Sequence, residues 1–218
     1  MKAKKAIVNF AAVSLLCAIP TIGLQFVGKA ADAVNRSVTF TSTLNAEKSP
    51  VLLAQQLYGD IFDKWARLGG ERSPLGNPTT DERPAAKGGR YNDFQHGFIY
   101  WRPNQGAYAV YGEIGKKWNS IGRERSAVGY PISDERSAAN GGRYNQFEFG
   151  FIYWHPSRGA YAVYGDIAKK WDSMGREKSS LGYPISDELP SGSAGNRVSH
   201  FERGSIYWNK SGKITVSN

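Results

Sequence analysis

The sequence predicts an α+β, β-rich protein made of three tandem repeats of about 53 residues, each a short helix plus a β-hairpin. Three observations predict it. Landmarks recur at a fixed step: Tyr58, Tyr111 and Tyr164; Trp65, Trp118 and Trp171; and the Gly-x-Pro triples at Gly76, Gly129 and Gly182. Within each repeat the apolar spacing changes from helical to strand-like. Aromatic residues make up 13% of the chain and glycines number 25, a mixture that suits short strands and tight turns. A period of this size marks units that cannot bury their apolar faces alone and must pack on one another, as a short stack or a closed ring.

The first thirty residues read as a secretory signal peptide. Lys2, Lys4 and Lys5 precede a mostly apolar run from Ala6 to Val27, and small residues follow, with cleavage expected after Ala30 or Ala33. Asn9, Pro20 and Gln25 interrupt the run and argue against a membrane anchor. Cys17 is the only cysteine and lies inside this segment, preceded by Leu16 where a lipoprotein site needs a small residue. The mature chain then has no disulfide and depends on packing. The formal charge is +9, falling to +5 once Lys2, Lys4, Lys5 and Lys29 leave with the signal. That charge is modest and evenly spread. It suits an anionic surface and does not form the basic patch of a nucleic-acid binder.

Residues 31–49 form a polar lead-in, in which Arg36 to Thr41 can add a strand. One repeat domain follows over residues 50–218, with units at 58–110, 111–163 and 164–216. Ser49-Pro50 looks like an N-cap and first helical residue, so the first helix is expected to start there, run to Gly69 and exceed its counterparts in length. In the second unit Tyr111, Ile114, Trp118 and Ile121 share one helical face. The Val128-Gly129-Tyr130-Pro131 turn follows, then a Gly-rich loop. In the next strand Phe147, Phe151 and Tyr153 have one parity and Ile152 and Trp154 the other, so both faces should be buried between units. His155 to Gly159 has hairpin-turn composition, and Tyr161–Tyr164 returns as the partner strand. Val110-Tyr111-Gly112 and Val163-Tyr164-Gly165 pass from strand to helix with no linker. Repeat three carries one extra residue in the Ser191–Asn196 loop and has Ser205 where the others have Phe98 and Phe151. Ser205 marks a face without a neighbouring unit, or one on which the lead-in strand packs.

The order of helix Trp, Leu/Val-Gly-x-Pro, Asp-Glu, Arg-bearing loop, Phe-x-x-Gly-x-Ile-Tyr-Trp and Gly-Ala-Tyr-Ala-Val-Tyr-Gly-x-Ile resembles the LGFP repeat of secreted actinobacterial proteins, over residues 58–216. The resemblance implies a propeller-like domain that binds cell wall. The implied partner is a wall glycan of the peptidoglycan–arabinogalactan type, with a secreted wall enzyme as a second class. It also implies a secreted, wall-associated location, with no membrane partner after signal cleavage. The chain departs from the family in having three clear repeats and no attached catalytic domain.

No Gly-x-Ser-x-Gly elbow, zinc motif or cofactor signature is present, and the three histidines fall in three different registers. The chain reads as a non-catalytic binding module with no cofactor or metal. Sugar C–H faces stack on exposed rings. Tyr108 and Tyr161, just after the hairpin turn, and Tyr130 and Tyr183, in the Gly-x-Pro turn, are the tyrosines expected to be exposed. Trp101, Trp154 and Trp208 are strand candidates; each adjoins a tyrosine pointing to the opposite face, so one ring of each pair can meet a ligand. Trp65, Trp118 and Trp171 belong to the helical core face. Asp81, Asp134 and Asp187, each followed by Glu, can hydrogen-bond a sugar or, the favoured reading, hold a loop together, with an Asp–Arg bridge to Arg90, Arg143 or Arg197. Two rival functions stand beside wall binding: a small wall hydrolase with a site between unlike repeats, tested at His155 or Glu148, and a scaffold that docks another protein.

Overall fold

The structure, a computed structural model, describes residues 38–41, 54–193 and 195–218, with side chains from Leu57 onward. The signal peptide and the Ser49-Pro50 helix start lie outside these residues. The chain begins with β1 (Val38–Thr41) paired antiparallel with β2 (Ala54–Leu57), which bears out the expected lead-in strand. Unit one holds α1 (Gly59–Arg67), β3 (Arg83–Pro84), β4 (Arg90–Phe94), β5 (Gly97–Arg102) and β6 (Gly106–Tyr111). Unit two holds α2 (Gly112–Ser120), β7 (Arg136–Ser137), β8 (Arg143–Phe147), β9 (Gly150–His155) and β10 (Gly159–Tyr164). Unit three holds α3 (Gly165–Ser173), β11 (Leu189–Pro190), β12 (Arg197–Phe201), β13 (Gly204–Trp208) and β14 (Ile214–Ser217).

Each unit is therefore a helix and a four-stranded antiparallel sheet, an edge strand of two residues followed by a three-stranded meander. The predicted hairpin is the last two strands of that meander. The first helix is not longer than the others: all three have nine residues, and α1 starts at Gly59. Residues 54–57, expected as helix, pair instead with a strand thirteen or more positions away, and that pairing overrides local helical spacing. The strand-to-helix joins are as tight as predicted. β6 ends at Tyr111 and α2 begins at Gly112, which turns the chain with φ +58, a left-handed conformation that glycine adopts without strain.

The cores lie between units as well as within them. Tyr100 and Val110 of unit one pack with Ile114, Trp118, Val128, Phe147 and Ile152 of unit two in one cluster. The next cluster joins Tyr144, Phe151, Tyr153 and Val163 to Ile167, Trp171, Leu181 and Ile206. So α2 and α3 are each sandwiched between two sheets, which is why both strand faces are apolar. Trp118 and Trp171 are fully buried, and their indole N–H groups donate to Gly129 and Gly182 carbonyls at 3.3 Å, tying helix to Gly-x-Pro turn.

Polar side chains lock the joins. Arg123 donates to Asp93 at 2.8 Å and lies 4.0 Å from the Phe98 ring centre, across the first join. Glu148 accepts from Arg102 and from the Tyr130 N–H at 3.2 Å. Burial works to raise the Glu148 carboxyl, but the Tyr130 N–H, Arg102 and Lys87 outweigh it and hold it below its ordinary value. In unit three the ladder Trp208↔Ile214 and Tyr207↔Thr215 places Thr215 where unit two has Tyr161. The step of 54 persists through β14, and Gly212 sits in the turn rather than opposite the strand end as Gly159 does. On the outward face of this sheet Ser205 replaces Phe151, and Tyr207 is 37% exposed where Tyr153 is 1% exposed. Among the described residues no helix packs there, which agrees with Ser205 marking a face without a neighbour.

Candidate ligand grooves

The end of β10, the first turn of α3 and the sheet below them converge on an open groove in unit three, of about 450 Å³, lined by Tyr164, Asp166, Glu188, Gly195, Arg197 and Trp208, among others. The corresponding positions are Tyr58, Asp60, Glu82, Arg90 and Trp101 in unit one, and Tyr111, Glu113, Glu135, Arg143 and Trp154 in unit two. In every unit the Glu of the Asp-Glu pair meets the loop arginine: Glu82 with Arg90, Glu135 with Arg143 at 3.7 Å, and Glu188 with Arg197 at 2.8 Å. The carboxylate is the buried partner, with side-chain exposures of 12%, 13% and 9%, while the guanidinium lies toward solvent.

The tyrosine above that pair is perturbed in the same direction each time. Burial and then the nearby acidic groups push the Tyr58 hydroxyl above its ordinary value. Burial and Glu135 do so at Tyr111, and burial and Glu188 at Tyr164, with Arg197 opposing through a hydrogen bond. These phenols are neutral donors at physiological pH. Burial also raises Glu135, against the pull of Arg143. The helix-start acid differs among units. Asp60 accepts from the Trp101 indole at 2.5 Å, whereas Glu113 and Asp166 bind Lys116 and Lys169 at 2.6 and 2.8 Å. The Trp208 indole nitrogen has no hydrogen bond of ordinary length, yet it lies close enough to Asp166 to help Lys169 hold that carboxyl below its usual range. The unit-three groove thus offers an indole edge, a phenol, carboxylates and a guanidinium, the groups that hold a hydroxylated ring.

The predicted site residues divide. Trp101, Trp154 and Trp208 are half-buried, Trp208 in the wall of the groove, while the adjacent Tyr100 and Tyr153 point away into the joins at 2% and 1% exposure. Tyr108 and Tyr161 are half-buried on the strands after the hairpin turn, with the Lys64 ammonium 5.6 Å from the Tyr108 ring centre. The expected exposure of Tyr130 and Tyr183 is corrected: they are 1% and 2% exposed. Each is pressed between units, its hydroxyl donating to the Ala86 or Ala139 carbonyl of the unit before. The proposed Asp–Arg bridge is corrected too, since the neighbouring Glu makes it. Asp134 instead accepts from the Ala109 N–H at 3.0 Å and from Lys64 at 2.7 Å, and Asp187 from the Ala162 N–H at 3.0 Å and from Lys117. Asp81 is exposed in the matching turn of unit one. The residues tested by the hydrolase reading, Glu148 and His155, lie on different joins, the His155 ring 4.9 Å from that of Tyr183 and tilted by 58°.

Sequence reasoning missed Tyr58, Tyr111, Tyr164 and the helix-start acids as groove residues. The signal was present in the strict recurrence of Tyr-Gly-acid-Ile at a constant spacing to Glu, and at a spacing to Arg and Trp that changes only by the one residue inserted in unit three. Among the described residues, no cluster of three or more His, Cys, Asp or Glu side chains is placed to hold a metal ion, and no helix is long and apolar enough to cross a membrane.

Three helix-and-sheet units fused through shared cores define a tandem-repeat module of the type found in cell-surface proteins. The LGFP repeat matches the chain three times, at residues 75–126, 128–179 and 181–218, and the chain belongs to that family. The LGFP repeat is not a known catalytic domain. No curated protein matches the chain.

Proposed function

We propose that the chain is a secreted, non-catalytic module that attaches to the cell wall by binding a polysaccharide of the peptidoglycan–arabinogalactan type. The observation that carries this reading is the recurrence of one set of residues, a tyrosine, a helix-start acid, a Glu–Arg pair and a strand tryptophan, in all three units, on a frame whose joins are packed and hydrogen-bonded. A repeating polymer presents the same sugar many times. Several weak sites on one frame gain about 10²–10⁴ in avidity when they engage it together. A lone small-molecule substrate gains nothing from that repetition. The positive charge of the chain adds attraction to an anionic envelope surface.

Co-sedimentation with insoluble wall tests the reading. Whole wall and peptidoglycan stripped of its attached polysaccharide are compared. Retention on whole wall alone assigns the ligand to the attached polymer, and equal retention assigns it to peptidoglycan. No retention on either overturns wall binding and favours the protein-scaffold function.

A further inference from the structure

We propose that the groove of the third unit is the principal ligand site of the chain and that it takes a neutral, hydroxyl-rich sugar residue; this rests on the wall-polysaccharide reading above. A loop unlike those of both other units, an indole unlike that of unit one, and the charge of the lining point to it.

The first concerns the Gly-rich loop. In units one and two this loop is engaged by the join: Ala86 and Ala139 give their carbonyls to Tyr130 and Tyr183, and their N–H groups to Glu124 at 3.5 Å and Glu177 at 3.4 Å. In unit three the loop carries the one inserted residue of the array and closes on itself. The Ser191 N–H donates to the Asn196 carbonyl at 3.0 Å, and the Asn196 side chain accepts from the Lys210 N–H at 3.4 Å. Gly195 of this rebuilt loop is part of the groove wall. The single departure from the repeat length is therefore located at a groove rim.

The second concerns the tryptophan. In unit one the Trp101 N–H is taken by Asp60, and Asp63 occupies the position held by Lys116 and Lys169 in the other units. The matching positions of unit one are thus more acidic and their indole donor is already used. In unit three Lys169 draws Asp166 and no ordinary hydrogen bond fixes the Trp208 indole.

The third concerns charge. Arg197 is engaged by Glu188, and Lys169 by Asp166, each at 2.8 Å. Among the lining residues the carboxylates of Asp166 and Glu188 outnumber the single guanidinium of Arg197, so the wall of the groove does not favour a phosphate or carboxylate. The groove instead presents carboxylate acceptors, a guanidinium donor and an aromatic ring, a set that suits sugar hydroxyls. Its volume of about 450 Å³ lies within the range of small-ligand sites.

The test uses the intact chain. Wall polysaccharide is released by mild acid, split on an anion-exchange resin into neutral and anionic fractions, and scored by affinity electrophoresis. The wild type should be retarded by the neutral fraction. Trp208→Ala and Glu188→Gln should weaken retardation at least tenfold, and Trp101→Ala and Trp154→Ala less than threefold. Tyr164→Phe, which deletes only a hydroxyl, serves if Trp208→Ala melts early, and should weaken retardation severalfold with an unchanged melting curve. Preference for the anionic fraction, equal losses from all three tryptophan variants, or normal binding by both Glu188→Gln and Tyr164→Phe overturns the assignment. If the wild type sediments with whole wall under any of these results, wall binding stands and only this assignment falls. A wild type that neither sediments nor is retarded overturns both.

Discussion

Asp134 of unit two accepts a hydrogen bond from the backbone N–H of Ala109 in unit one at 3.0 Å. The Ala109 carbonyl accepts from the Asn145 side-chain amide, also at 3.0 Å. Ala109 lies on β6, the edge strand of its sheet, where an N–H and a carbonyl would otherwise face outward unpaired. Two side chains of the next unit thus stand in for a fifth strand. At the second join Asp187 repeats the first contact on Ala162, while Ser199 stands where Asn145 would and its buried hydroxyl has no partner.

Asp134→Ala is expected to destabilise the fold by about 1–2 kcal/mol, the scale for a hydrogen bond to a partly exposed charged group. For a chain of this size that is a fall of roughly 2–8 °C in melting temperature. Asp134→Asn keeps an acceptor for the Ala109 N–H and loses only the charge attraction to Lys64, so it should fall less. Thermal unfolding followed by circular dichroism checks the order. An unchanged midpoint in Asp134→Ala would exclude a role in the join.

Gly142 has an ordinary extended backbone, φ −74, but a methyl group there would lie 2.8 Å from Cζ of Tyr183. Gly142→Ala should cost about 1–3 kcal/mol through overpacking alone. Its neighbour Gly141 is the converse case: φ is +82 and nothing lies within 4 Å of an added Cβ, so Gly141→Ala meets backbone strain of about 1–2 kcal/mol and no clash. Combining each with Tyr183→Ala separates the two causes. The double variant should recover part of the Gly142→Ala loss and none of the Gly141→Ala loss.

Burial pushes the Tyr130 and Tyr183 hydroxyls from the ordinary 10.0 up to about 12. A folded value above the unfolded one means that the native state holds the proton more tightly. Their contribution is therefore intact below pH 10 and is lost as pH rises from 10 to about 12. Stability against pH should decline across that window, with phenolate absorbance for these residues appearing together with unfolding. Tyr183→Phe should start less stable by about 1 kcal/mol, for the lost bond to Ala139, and then decline less steeply. A decline as steep as that of the wild type would show that Tyr183 does not contribute to it.

The period of the text, the helical face carrying Trp65, Trp118 and Trp171, and the two apolar parities of the Phe147–Trp154 stretch are legible in the sequence because each is set by local spacing. So is the placement of Tyr and Trp on opposite strand faces, which puts Tyr153 in a join and Trp154 at a groove. Local spacing says nothing about which surface a neighbouring unit covers. Tyr130 and Tyr183 look like exposed turn residues and are buried by the unit before them; the hint was Asn77, the polar residue at the same position in the first of the three units. Residues 54–57 have helical spacing and form a strand because β1 supplies hydrogen bonds from a distant part of the chain. The groove was least legible of all. It gathers Tyr164, Glu188, Arg197 and Trp208 from three different elements and a turn, a proximity that only the docking of helix on sheet creates. Periodicity along the chain determined the units. The hydrophobic and polar matching between one unit and the next decided which of their side chains became joins and which were left facing solvent.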